Sequence, residues 1–126
     1  MPRSEFDAAF RSWFLEHERT HVAFIALAER SAVGMAWLAT IDRVPGPGVW
    51  TRLAGHLQSV YVRLEDRNQG IGAALVTEAL KAAERRGFDY VIVHPSERSF
   101  PLYRRLGFCD TGAFLEHDVR ASRPSQ

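Results

Sequence analysis

Cysteine is almost absent from this chain: Cys109 is the only one. That excludes an intrachain disulfide and a cysteine zinc cluster, and it suits a reducing compartment. Lysine is equally scarce, with Lys81 alone, so arginine carries nearly all the positive charge. Long apolar runs are lacking too. The longest, Val22 to Ala28, is far too short to cross a bilayer, and the opening Met-Pro-Arg-Ser-Glu has no apolar signal core. A cytoplasmic protein with no membrane partner is expected. No excess of charge of one sign exists either; the formal net charge is +1, and no field points to nucleic acid. Repeats, low-complexity tracts and linkers are missing, and 126 residues suffice for one domain over 1–126 but not for two.

What is present reads as one mixed α/β domain. Hydrophobic residues make up 46% and charged residues 25%, which argues against disorder. Ser4 and Asp7 resemble a capping box, and Phe6, Phe10, Trp13, Phe14 and His17 recur at helical spacing, predicting a helix whose apolar face packs on a sheet. Val22–Ala28 and Val33–Ile41 read as hairpin strands, and Pro45-Gly46-Pro47-Gly48 as a loop. A third strand is expected from Gly55 to Val62, then a helix from Gly70 to Arg86 stopped by Gly87. Tyr90–Val93 has the continuous apolar character of a buried parallel strand. A short helix over Phe100–Leu106 and a final strand over Thr111–Val119 complete the expected set.

The most informative stretch is Val60-Tyr61-Val62-Arg63-Leu64-Glu65-Asp66-Arg67-Asn68-Gln69-Gly70-Ile71-Gly72-Ala73. A strand ends, a turn follows, and a helix opens with two glycines. Free N–H groups and the positive dipole end at a helix start suit a phosphate or pyrophosphate, and glycine removes side chains that would block close approach. A Walker loop is excluded because Ala73-Ala74 follow Gly72 where Lys-Ser/Thr is needed. A dinucleotide fingerprint is excluded because Leu75 takes the third small position and Arg63–Gln69 separate the strand from the glycines.

The remaining pattern, Arg67-x-x-Gly70-x-Gly72 after a strand ending Val-Tyr-Val, resembles the acetyl-CoA motif of the GNAT N-acetyltransferase family. Pro101-Leu102-Tyr103-Arg104-Arg105-Leu106-Gly107-Phe108 resembles the family's Leu-Tyr-x-x-x-Gly-Phe segment, one strand further on. The resemblance runs from about Val22 to Val119. It implies an α+β fold with a mixed, mostly antiparallel sheet flanked by helices. It also implies acetyl transfer from acetyl-CoA to a primary amine by direct attack, with no metal. Set against this is a module of the same fold that binds acyl-CoA and transfers nothing.

The resemblance assigns Val60, Tyr61 and Val62 to the pantetheine arm. It assigns Arg67, Asn68, Gln69, Gly70, Ile71, Gly72 and Ala73 to the pyrophosphate, and Ser96 to a further contact where many relatives carry Asn. Tyr103 takes the family position of the acid that protonates the departing thiolate. For the base, His56, His94 and ordered water stay open; His56 stands where relatives carry Glu or His, and a histidine suits base work at neutral pH. The chain opens almost at the apolar helix, so the family's first strand–helix unit is expected to be missing. The sheet edge thereby left open suggests a homodimer. The acceptor, a small-molecule or peptide amine, is not identified by these residues.

Overall fold

A computed structural model describes residues 1–122. Helix α1 (Arg3–His17) leads into strands β1 (His21–Ala28), β2 (Ser31–Asp42) and β3 (Leu53–Val62). Helix α2 (Ile71–Arg85), strand β4 (Val91–Val93) and helix α3 (Phe100–Arg105) follow. The strands form one sheet in the order β1-β2-β3-β4. β1, β2 and β3 are antiparallel neighbours, whereas β4 pairs with β3 in parallel. A parallel pair needs a crossover, and α2 supplies it. The β1–β2 hairpin turns on Glu29 (φ 49) and Arg30 (φ 74), the pair of positive φ values that a two-residue hairpin of matching twist requires.

The core lies between the sheet and α2. Alternation along β2 and β3 sends Ala36, Leu38 and Leu57 toward α2, which answers with Leu75, Val76, Ala79, Ala82 and Ala83. Leu38 and Leu57 are fully buried, and side chains of this kind each contribute about 1.5–3 kcal/mol. Small alanines on α2 allow the helix to approach closely. α2 stops at Gly87 (φ 71), where Phe88 N–H bonds the Ala83 carbonyl and Gly87 N–H bonds that of Glu84. That is the left-handed helix stop expected from the sequence.

The opposite sheet face has a different character. Directly opposed residues on paired strands share a face. The register therefore sets His21, Ala39 and His56 in one row, Ala23, Trp37 and Gln58 in the next, and Ile25, Met35 and Tyr61 in a third. Helix α1 lies over this face, with Phe10, Trp13 and Phe14 meeting the Trp37 ring edge-on at 5.6, 6.3 and 5.4 Å between centroids.

Three expectations are corrected here. The capping box does not form: α1 already includes Ser4, its N-cap is Pro2, and no side chain caps it. The apolar face of α1 docks only in part. No α1 residue is buried, and Phe6 stays 52% exposed; the ring contacts of α1 with the sheet are made to Trp37 and His21. The strand expected over Thr111–Val119 is absent. Asp110 Oδ1 accepts from Gly112 N–H and Thr111 Oγ1 accepts from Ala113 N–H, local turns that draw the backbone away from pairing. β4, only three residues long, offers little edge to join. The far edge strand, β1, leaves Ile25 and Leu27 exposed. Among the described residues no helix is long and apolar enough to cross a membrane.

Candidate active site

β3 and β4 pair only through Gly55–Val91, His56–Ile92 and Leu57–Val93. Beyond Leu57, β3 continues to Val62 with no β4 partner, so the sheet opens into a cleft of about 840 Å³. A bulge marks the point of parting. Ser59 has φ 50, and the β2–β3 register shifts between Met35 and Trp37. A left-handed serine costs about 1–2 kcal/mol, and bulges cluster next to functional sites because they re-aim a strand. Val60, Tyr61 and Val62 then line the cleft along one wall. Nothing in the residue type of Ser59 signals this bulge, and the sequence reading missed it.

The floor of the cleft is the start of α2. Asn68 (φ 63) and Gly70 (φ 82) bend the chain into the helix, and Gly70 is its N-cap. The first intrahelical bond runs from Ala74 N–H to the Gly70 carbonyl at 3.0 Å. The N–H groups of Ile71, Gly72 and Ala73 therefore have no helical carbonyl to bond and stand at the positive end of the dipole. The two glycines differ. Gly70 answers a backbone requirement, since its φ is one that side-chain-bearing residues rarely adopt. Gly72 answers none: a Cβ built there would meet Leu102 at 3.7 Å and Val62 at 3.9 Å, ordinary contacts. Nothing in the protein itself requires glycine at 72.

Arg67 anchors the turn. Its Nε donates to the Val62 carbonyl at 2.9 Å, and its guanidinium lies 5.5 Å from the Tyr61 ring centroid. Arg63 braces the preceding turn on Asp66 at 2.9 Å. Arg67, Arg98 and Arg105 all line the cleft against one carboxylate, Asp66. Of the residues the sequence reading assigned to a bound ligand, Val60, Tyr61, Val62, Arg67, Asn68, Gly70, Ile71, Gly72, Ala73 and Ser96 line this cleft; Gln69 does not. Unpaired N–H donors, a glycine whose absent Cβ leaves room, and three arginines together fit a pyrophosphate-bearing ligand such as acetyl-CoA.

Tyr103 reaches the cleft from α3. Its position is fixed by the helix end that follows. Phe108 N–H bonds the Tyr103 carbonyl at 3.0 Å, Gly107 N–H bonds that of Arg104, and Gly107 has φ 95. The Phe108 ring meets the Tyr103 ring edge-on at 5.3 Å. The Leu-Tyr-x-x-x-Gly-Phe spacing is thus a left-handed helix stop with its apolar contact, and it locks the tyrosine in place. Burial pushes the Tyr103 phenol above its ordinary value, so it stays protonated at neutral pH.

His56 does not line the cleft. It stands on the sheet face opposite α2, one residue before the last β3–β4 pair. Gln58 Nε2 lies 3.2 Å from His56 Nδ1, and the His94 ring centroid is 5.3 Å away. Burial first, then the charge of His94, lowers the His56 pKa below its ordinary value, which keeps the imidazole neutral. Glu116 approaches His94 Nδ1 at 3.9 Å, an acidic neighbour the sequence reading did not anticipate. His56 and Tyr103 therefore flank the parting of β3 and β4 from opposite sides of the sheet.

Comparison with known proteins agrees with this geometry. The sequence matches the Acetyltransferase (GNAT) family over residues 2–108. It is 37% identical over 57 residues to the glucosamine 6-phosphate N-acetyltransferase of Trypanosoma brucei brucei, covering 45% of this chain and 39% of that protein. It is 41% identical over 72 residues to N-acetyltransferase family 8 member 3 of Rattus norvegicus, covering 55% of this chain and 32% of that protein. These matches span well under half the length of either relative. Among solved structures, a predicted acetyltransferase with acetyl-CoA from Clostridium acetobutylicum superposes with a TM-score of 0.77 at 23% identity, over 96% of this chain and 80% of that one. An acetyltransferase of Trypanosoma brucei gives 0.74 at 26% identity, over 86% and 77%. The mixed α+β fold with its mostly antiparallel four-stranded sheet is that of these acetyltransferases. With the family matched over most of its length, the chain belongs to the GNAT family of acetyltransferases.

Proposed function

We propose that this single domain is an N-acetyltransferase that takes acetyl from acetyl-CoA and transfers it to a primary amine by direct attack. The observation that carries the reading is the parting of β3 and β4 over a helix start whose free N–H groups include that of Gly72, a glycine the protein's own packing does not require. In this reading the N–H groups of Ile71, Gly72 and Ala73 hold the pyrophosphate, with Arg67, Asn68, Gln69 and Gly70 shaping the turn. The free backbone edge of Val60–Val62 lies along the pantetheine arm, and Ser96 borders it. Acetyl-CoA supplies an activated acetyl group as a thioester.

An alkylamine has a pKa of about 10.4 and reaches the site mostly protonated, so a proton must leave it before attack. His56, held neutral and close to the parting, accepts that proton in this reading. His94 and ordered water are the other routes. On the opposite side Tyr103 holds a proton that the departing thiolate can take, since a thiol of ordinary pKa about 8.5 is mostly protonated at neutral pH, and solvent then restores the phenol. Two groups with opposite protonation states, one on each side of the parting, match the division of labour that amine acylation needs.

The test is release of free CoA thiol when the purified chain is offered acetyl-CoA with a panel of primary amines. Amine-dependent release is expected. Stabilisation by acetyl-CoA without thiol release from any amine would identify a binding module of the same fold instead. An unchanged melting temperature and no release would make the glycine turn purely structural.

A further inference from the structure

We propose that the amine acceptor is an aryl-alkyl amine with no second charged group, lying on the sheet face opposite α2 with its ring against Trp37 and Phe10. The proposal rests on the acetyltransferase reading above and names the acceptor class for that site.

The three rows that contain His56, Gln58 and Tyr61 cross β1, β2 and β3 without one Asp, Glu, Lys or Arg. A phosphate-bearing acceptor, such as the substrate that names the Trypanosoma brucei brucei relative, calls for a cationic clamp on this face; none stands in those rows, and Arg67, which comes within 5.5 Å of the Tyr61 ring centroid, is held by the Val62 carbonyl and lines the cleft. A polyamine calls for carboxylates. Glu116 is a carboxylate near this region, but it lies beside His94, 3.9 Å from Nδ1, and both side chains are about two-thirds exposed.

What the face offers is rings. Phe6, Phe10, Trp13 and His17 stack in sequence along α1 at 5.6, 5.9 and 4.2 Å. Phe10 and Trp13 touch Trp37 while remaining 39% and 37% exposed. A cluster of this size, left partly open rather than closed into a core, is suited to take another ring. The same ring faces tolerate an ammonium ion by cation–π attraction, so an amine can arrive protonated. Burial also lowers the pKa of His21, the row-mate of His56, so neither imidazole repels that cation at neutral pH.

Spacing sets the length of the acceptor. His56 opposes Ala39, and Trp37 stands two residues along β2 on the same face. Diagonal neighbours of this kind are about 7–8 Å apart. An amine at His56 and a ring at Trp37 are therefore separated by a short alkyl link of two or three bonds, not by a sugar or a long chain.

The experiment compares 2-phenylethylamine, glucosamine 6-phosphate and spermidine as acceptors for the full chain, reading kcat/KM by thiol release. 2-Phenylethylamine should exceed both others by at least about tenfold. Phe10→Ala, an exposed substitution, should narrow that preference while acetyl-CoA affinity stays unchanged by titration. Equal or better use of either charged acceptor overturns the proposal, as does an undiminished preference in Phe10→Ala. A second readout separates this from the acetyltransferase reading. 2-Phenylethylamine should change tryptophan fluorescence saturably in wild type and less tightly in Phe10→Ala, whether or not transfer occurs. Saturable binding without transfer supports the aryl site and sinks the enzyme reading; no saturable binding overturns the aryl site.

Discussion

The two sides of the sheet are built by different means. On the α2 side the surface of the cleft is mostly backbone: unpaired N–H groups at a helix start, a strand edge freed by the parting of β3 and β4, and turns at Asn68, Gly70 and Gly107 with positive φ. On the α1 side it is mostly side chain: the rings of Phe10, Trp13 and Trp37, and the imidazoles of His21, His56 and His94. A backbone surface serves any member of a family that shares one co-substrate. A side-chain surface can change with the acceptor while the fold stays fixed. On the proposed function, the donor half of the site is common property and the acceptor half is individual.

The sharpest way to break this comparison is at Tyr103, a side chain on the backbone-built side. Tyr103→Phe keeps the ring, its packing on Phe108 and the helix stop, and removes only the proton. With chemistry verified as rate-limiting, kcat should fall by about 10²–10⁴-fold while acetyl-CoA affinity and melting temperature hold. Retention of kcat within a few-fold would make Tyr103 a packing residue.

A smaller effect separates the histidines. With His56 as the base, its neutral form is the working one, so activity should fall as pH drops through the His56 pKa, which burial and His94 set below the ordinary histidine value. Removing the His94 charge relieves part of that depression, so His94→Ala should move the acid limb of kcat/KM to higher pH, toward about 6.5. His56→Ala should abolish that limb. A profile of unchanged shape in His56→Ala would assign the proton to water or to His94.

How much could be read in the chain follows the same division. The helix start at Gly70 and the Leu-Tyr-x-x-x-Gly-Phe stop at Gly107 were legible because unusual backbone geometry demands glycine at fixed offsets, and glycine is visible in a sequence; Gly72, which no backbone geometry demands, was legible through its place in the motif. The apolar strands and α2 were legible because their periodicity is set by one buried face. The Ser59 bulge was not, since serine there bears a positive φ without any residue-type signal. The chain after Asp110 has the residue types of a strand, yet local side-chain bonds at Asp110 and Thr111 turn it aside, and β4 is too short to recruit it. The uncharged rows across β1, β2 and β3 could not be seen at all, because they exist only once the cross-strand register is known. The ring cluster of α1 was visible as a periodic stripe, but its partial exposure was not.

The account depends most on the claim that Gly72 is glycine for the ligand and not for the protein. A Cβ at this position meets only ordinary contacts, and glycine inside a helix is less stable than alanine by about 1 kcal/mol. Isothermal titration of acetyl-CoA into folded Gly72→Val, beside its melting temperature, tests this directly. The account predicts affinity weakened by at least about tenfold, or roughly 1.4 kcal/mol, with a melting temperature close to wild type. Wild-type affinity in the folded variant would contradict it.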